Sequence, residues 1–128
     1  MKYANLHLHS TYSDAGFTPS QLVLIGKSLG YRALALTDHE TDGGVNEFME
    51  CARREEIDTL PGIEFYGDYG KTDLHIVALD YDMENPRLRA FVRERIERYV
   101  EYSKACFDYG TRIGVIDGIT WASFAFAF

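Results

Sequence analysis

Apolar and polar positions alternate along this chain in two rhythms. In "YANLHLHS" (3–10) the period is two: Leu6 and Leu8 fall on one side and His7 and His9 on the other, which predicts a half-buried strand. "FTPSQLVLIGKSLG" (17–30) carries helix punctuation instead. Thr18 is placed as N-cap with Gln21 three residues on, Pro19 takes the first helical position, and Gly30 closes the end. "YRALALTDHE" (31–40) reads as a buried strand with Leu34 and Leu36 on one face and Ala33, Ala35, Thr37 and His39 on the other. A helix through "GGVNEFMECARREE" (43–56) follows, then short strands in "DTLPGIEF" (58–65) and "DLHIVALDY" (73–81). From about Pro86 to Tyr109 the period returns to 3.6, with Leu88, Phe91, Val92, Ile96, Tyr99 and Val100 forming one stripe.

Strand, helix, strand, helix, strand is the order of a parallel α/β sheet or barrel. Large leucines facing an outer helix layer, with small residues on the opposite face, suit the tight interior of a barrel. Functional side chains of such folds collect where strands end and loops begin. His7, His9, His39 and Glu64 fall at such ends, whereas His75 opens its strand. The tail "ITWASFAFAF" (119–128), read as extended, aligns Phe124, Phe126 and Phe128 on one face and leaves Trp121 uncovered. A naked apolar edge of that kind recruits other chains, so self-association through the tail is expected.

Composition narrows the classes. The chain has 128 residues, 46% hydrophobic and 26% charged, and fits one domain with a genuine core. No apolar run approaches the roughly 20 residues of a membrane span, and "MKYANLHLHS" has no secretory-signal pattern, so no membrane partner is expected. Cys51 and Cys106 are too few for a disulfide framework and read as reduced cysteines of a cytoplasmic protein. A net charge of −7 argues against a duplex nucleic-acid surface but not against a phosphate-bearing substrate, since carboxylates gathered around cations invert the local sign.

Singly, the polar candidates have ordinary readings. Asp14 in "SDAG" could be a turn residue, Asp38 and Glu40 could cap the second helix, and Glu64 could be solvated. Together they are a different matter. Same-face neighbours on a strand lie roughly 6.5–7 Å apart, close enough for two imidazoles to converge on one ion or flank a small cluster. Mixed imidazole and carboxylate shells suit divalent cations such as Zn²⁺ and Mn²⁺. His7, His9, Asp14, His39, Glu64 and His75 form the candidate ligand set and include every histidine of the chain.

"HLHSTYSDAG", "LALTDHET", "LPGIEF" and "DLHIVALDY", in this order between residues 3 and 82, resemble the successive motifs of the PHP (polymerase and histidinol phosphatase) family. The resemblance implies a distorted (β/α)7 barrel holding two or three divalent metals (Mn, Zn or Fe) at the C-terminal ends of its strands. His7 and His9 would then hold one metal, Glu64 would bridge it to a second ligated by His75, and Asp14 and His39 would hold a third. Asp38 matches no ligand position and would orient a histidine from outside the shell.

The resemblance also has departures. The family's "SDG" is here "SDAG", no histidine follows His75, and Asp117 in "VIDGIT" lacks the histidine of the family's Asp-x-His pair. The chain therefore reads as a single partial PHP domain over 1–128, the N-terminal part of the barrel, with motifs in 3–82 and an amphipathic helix and apolar tail in 83–128. The implied activity is a metal-dependent phosphoesterase acting on a small phosphorylated substrate, a nucleotide or short oligonucleotide, as the short Glu64-to-His75 gap resembles the small phosphoesterase members. The alternatives are a truncated, non-catalytic metal-binding or interaction remnant, and the PHP domain of a bacterial replicative DNA polymerase.

Overall fold

The computed structural model describes residues 3–125. Its elements are β1 (Asn5–Leu8), α1 (Pro19–Ser28), β2 (Ala33–Leu36), α2 (Val45–Arg54), β3 (Asp58–Thr59), β4 (Gly62–Tyr69), β5 (Thr72–Leu79), α3 (Pro86–Arg112) and α4 (Trp121–Ala125). β1, β2 and β3 pair in parallel in that order, and β4 and β5 form a separate antiparallel pair.

The first helix forms where its caps demand. The Thr18 hydroxyl accepts the Gln21 amide while the Gln21 side chain accepts the Thr18 amide, closing a capping box ahead of Pro19. α1 and α2 cover one face of the parallel sheet. Leu34 and Leu36 of β2 point into that layer and pack with Val23, Phe48, Cys51, Ala52 and Ile57 into one buried cluster. The two-residue rhythm of β2 therefore survives: the leucines build the core, and the opposite face carries Ala35 and Thr37, both fully buried.

Three expectations are corrected. The segment "DTLPGIEF" is not one strand but two, broken at Leu60–Pro61 because proline has no amide to continue the ladder. Nor is the sheet parallel throughout: β4 turns back into β5 through the two-residue loop Gly70–Lys71, with Gly70 at φ +68, the positive value that the first position of a tight hairpin requires. Finally, Trp121–Ala125 is helical, not extended. Trp121 and Phe124 fold back on Phe107, with ring centroids 5.6 and 5.3 Å away. Trp121 is thereby partly covered; Phe126 and Phe128 of the expected edge lie outside the described residues.

α3 starts where Asn85 accepts the Arg87 and Leu88 amides, ahead of Pro86. Its stripe is only partly covered. Val92 is buried, Phe91 meets Phe65 edge-on at 5.2 Å, and Ile96, Tyr99 and Val100 remain more than a third exposed.

One close approach locks the hairpin to the sheet. A Cβ at Gly62 would collide with the Leu36 carbonyl oxygen and lie 2.8 Å from the Thr37 methyl. Gly62→Ala is expected to cost about 1–3 kcal/mol through the forced backbone shift. A denaturant midpoint unchanged from wild type would show that this contact yields freely.

Candidate metal centre

β1 and β2 run parallel, so the residues just past their C-terminal ends become neighbours. The His9 and His39 rings lie 4.5 Å apart, and the His7 ring lies 5.0 Å from that of His9. Glu64 is brought in by a bridge between the continuation of β2 and the start of β4. The Glu40 amide donates to the Glu64 carbonyl at 2.8 Å, and the Glu64 amide donates to the Asp38 carbonyl at 3.1 Å.

The buried Glu64 carboxylate is the hub. Its Oε2 lies 3.0 Å from His7 Nε2, 3.2 Å from His9 Nε2 and 3.3 Å from His39 Nδ1, and its Oε1 lies 3.1 Å from His75 Nδ1. Asp14 closes the other side, with one oxygen 3.4 Å from His9 Nδ1 and the other 3.6 Å from His39 Nε2. The antiparallel turn explains the position of His75. His75 lies midway along β5, where it faces Tyr66 directly and has Glu64, the third residue of β4 and not at a strand end as expected, for its diagonal neighbour.

Six side chains thus form three overlapping groups: His7, His9 and Glu64; His9, Asp14 and His39; His39, Glu64 and His75. Within each, one potential ligand atom per residue lies within 4.8 Å of the others. Two observations fit the set to cations. The Nδ1 atoms of His9 and His39 are buried without a hydrogen-bond partner although carboxylate oxygens lie within 3.4 Å, so these atoms approach without facing one another. And two ligands about 2.1 Å from one tetrahedral ion stand about 3.4 Å apart, within the range of spacings found here.

Electrostatics work in the same direction. Burial pushes the Glu64 carboxyl up, but the hydrogen bond from His7 and the positive ends of His39, His7 and His9 together hold it below the usual carboxylate range. His39 is held below the ordinary imidazole value, first by burial and then by His9, against the opposing pull of Glu64 and Asp14. Both groups therefore stabilise the metal-free fold above their unfolded values, 6.5 for the imidazole and 4.5 for the carboxyl, and this stability is lost as pH falls through and below them. With chelator present, the melting temperature should be flat above about pH 7.5 and fall on acidification. A melting temperature that rises on acidification would contradict this sign.

Asp38 does not orient a histidine. By strand parity it continues the Leu34–Leu36 face, away from His39, and it is buried there. Its carboxylate accepts the Ser10 amide at 2.6 Å, the Ser10 hydroxyl at 2.7 Å and the Ser13 hydroxyl at 2.5 Å. Asp38 therefore pins the loop that carries Asp14. Asp38→Ala is expected to release this loop and weaken metal retention several-fold; unchanged metal content would remove that role.

Two further residues escaped the sequence reading. Glu40 is no helix cap; the N-cap of α2 is Gly44, with no side-chain cap bond. Glu40 is itself buried at φ +59, and its carboxylate accepts Arg95 Nε at 2.7 Å, Arg95 Nη at 2.6 Å and the Tyr66 amide at 2.7 Å. Tyr66 stacks on His39, centroids 4.7 Å apart and 13° from parallel, and meets His75 edge-on at 4.8 Å. Burial, and then Tyr99, push its hydroxyl above the ordinary tyrosine value. Only the second carries a sequence signal: Tyr66 follows Glu64 by two, on the same strand face.

An α/β domain with imidazoles and carboxylates gathered where the C-terminal ends of β1 and β2 meet the β4–β5 hairpin is the class defined so far. Residues 5–87 match the PHP domain, and the chain belongs to that family. It is 37% identical over 102 residues to a 3',5'-nucleoside bisphosphate phosphatase of Chromobacterium violaceum, covering 77% of this chain and 36% of that one. It is 33% identical over 94 residues to a 5'-3' exoribonuclease of Haemophilus influenzae, covering 73% and 34%. The solved structure of an amidohydrolase from Chromobacterium violaceum with bound sulfate and no metal superposes with a TM-score of 0.81 at 31% identity, over 90% of this chain and 40% of that one. The chain thus spans about a third of the length of the curated relatives it matches.

Proposed function

We propose that His7, His9, Asp14, His39, Glu64 and His75 bind divalent cations, Mn, Zn or Fe, and that the protein is a phosphoesterase acting on a nucleotide or short oligonucleotide. The observation that carries this reading is the single buried carboxylate of Glu64 lying within 3.3 Å of a nitrogen on each of four imidazoles. The activities named for the two relatives, on a nucleoside bisphosphate and on RNA, support the substrate class. The net charge of −7 favours a small phosphate ester over a duplex. Among the described residues no helix is long and apolar enough to cross a membrane. The free thiols of Cys51 and Cys106 support a reducing, cytoplasmic setting.

Bound cations of this kind supply a water of lowered pKa and neutralise charge on the phosphate during in-line attack. The chain's own residues set the stage. His39 stays neutral to lower pH than a free imidazole, so the lone pair of one ring nitrogen is available at neutral pH. Asp38 holds the Asp14 loop, and the Tyr66 ring packs against both His39 and His75, fixing their planes.

The test is elemental analysis after supplementation with Mn²⁺ or Zn²⁺, paired with phosphate release from a 3',5'-bisphosphorylated nucleoside and a 5'-phosphorylated oligoribonucleotide. The expected result is bound metal and metal-dependent release, both lost in the His7→Ala, His9→Ala double variant. Less than ~0.2 metal per chain would overturn the metal reading, because a site with several ligands per ion retains it. Metal retained with no release from either substrate would favour the binding-module alternative.

A further inference from the structure

The part of the α3 stripe left uncovered faces a cavity. Ile96 and Val100, both more than a third exposed, line a space of about 400 Å³, together with Trp121 and Phe124 of α4. Phe107, buried further along α3, meets both of those rings and so holds the α4 wall in place. Ile96, Val100, Ser103 and Phe107 recur three or four residues apart, so one face of α3 carries the cavity and the anchor of α4. Small-molecule sites measure roughly 300–1,000 Å³ and are mostly apolar with a few polar groups, of which Ser103 is one here. His39 lines the same cavity and belongs to two of the three ligand groups, so the cavity abuts the cluster.

We propose that this cavity takes the base of a nucleotide substrate, between the aromatic wall of α4 and the Ile96–Val100 face of α3, with the phosphate directed past His39 to the cluster. This rests on the nucleotide reading above and gives it a source of selectivity. A flat aromatic ring covers apolar surface that α3 otherwise leaves to water. A bare sugar does not, because its hydroxyls would lose their water against such a wall. Every base has a π-face, so the cavity favours nucleotides over sugar phosphates without choosing among bases. Tying the two sites through His39 also places the base and the phosphate of one molecule on neighbouring surfaces.

The experiment uses the full chain, whose single tryptophan is Trp121 of the cavity wall. In a first titration, adenosine is added to metal-free protein and Trp121 emission is followed, with excitation beyond the absorption of the base. In a second, adenosine 5'-monophosphate and ribose 5-phosphate are compared by calorimetry with Mn²⁺ present. Adenosine is expected to change Trp121 emission saturably, and the base to improve affinity about 5- to 100-fold over the sugar phosphate. In Val100→Asp, a change on an exposed helix face, the emission response should vanish and the ratio should fall to about one. The added charge acts on both phosphates alike, so the ratio isolates the base. Val115→Asp, the same change outside the cavity, should keep the wild-type ratio. Equal affinity for the two phosphates in the wild type overturns the cavity assignment while leaving the phosphoesterase reading intact. A Trp121 response to adenosine that is lost in Val100→Asp, with neither phosphate bound, upholds the cavity and overturns that reading. Adenosine that leaves Trp121 emission unchanged, or a ratio undiminished in Val100→Asp, overturns the cavity assignment.

Discussion

Glu64→Ala protein, purified and supplemented with Mn²⁺ or Zn²⁺, is expected to hold less than ~0.1 ion per chain, a loss larger than that from any single histidine variant. The reason is geometric. Glu64 belongs to two of the three ligand groups and approaches all four imidazoles, whereas His7 belongs to one group and sits half-exposed at the rim. Removing the carboxylate also removes the negative charge that offsets gathered cations in a buried place. His7→Ala should therefore lose only part of the metal. Because Glu64→Ala opens a void, Glu64→Gln provides the control: it keeps the shape, replaces one ligand oxygen by an amide nitrogen, and should still lose most of the metal. Wild-type metal content in both Glu64 variants would refute the hub assignment.

Arg95→Met is expected to destabilise the protein by about 3 kcal/mol, equivalent to about 10 °C in melting temperature. Glu40 has a side chain only 3% exposed and keeps a single backbone donor once the guanidinium is gone. An uncompensated buried carboxylate is costly, whereas a matched apolar pair is tolerated. The double variant Glu40→Met, Arg95→Met should therefore be more stable than Arg95→Met alone. Thermal melts of the three proteins check this. A single variant within ~0.5 kcal/mol of wild type, or a double variant with additive losses, would show that the pair is not load-sharing in this way.

The two predictions differ in how visible their residues are along the chain. Glu64 stands out because it follows Pro61–Gly62 as a carboxylate in an apolar run and shares a motif order with the histidines of β1 and of the β2 end. Arg95 gives a weaker signal: it is a charge set within the apolar stripe of α3, three residues after Val92 and four before Tyr99, but it is separated from Glu40 by more than fifty residues and no local pattern links the two. Glu40 could be suspected only in hindsight, as a carboxylate that continues, after Asp38, the face Leu34 and Leu36 begin.

Local sequence by itself determined the capped helix at Pro19–Ser28, the alternation that sends Leu34 and Leu36 into the core, and the placing of His7, His9 and His39 at strand ends. These follow from side-chain period and capping chemistry, which act over a few residues. Tertiary structure alone decided the rest. The pairing of β5 back against β4 brought His75 to the cluster, because the hairpin register sets it opposite Tyr66 and diagonal to Glu64. Strand parity and burial turned Asp38 toward Ser10 and Ser13 instead of a histidine. The fold-back of α4 onto Phe107 replaced the extended course expected over Trp121–Ala125, since a short alternating apolar run satisfies either period until a neighbouring surface selects one. Pairing between distant segments is set by which surfaces remain to be buried once the local elements exist, and that information is spread over the whole chain.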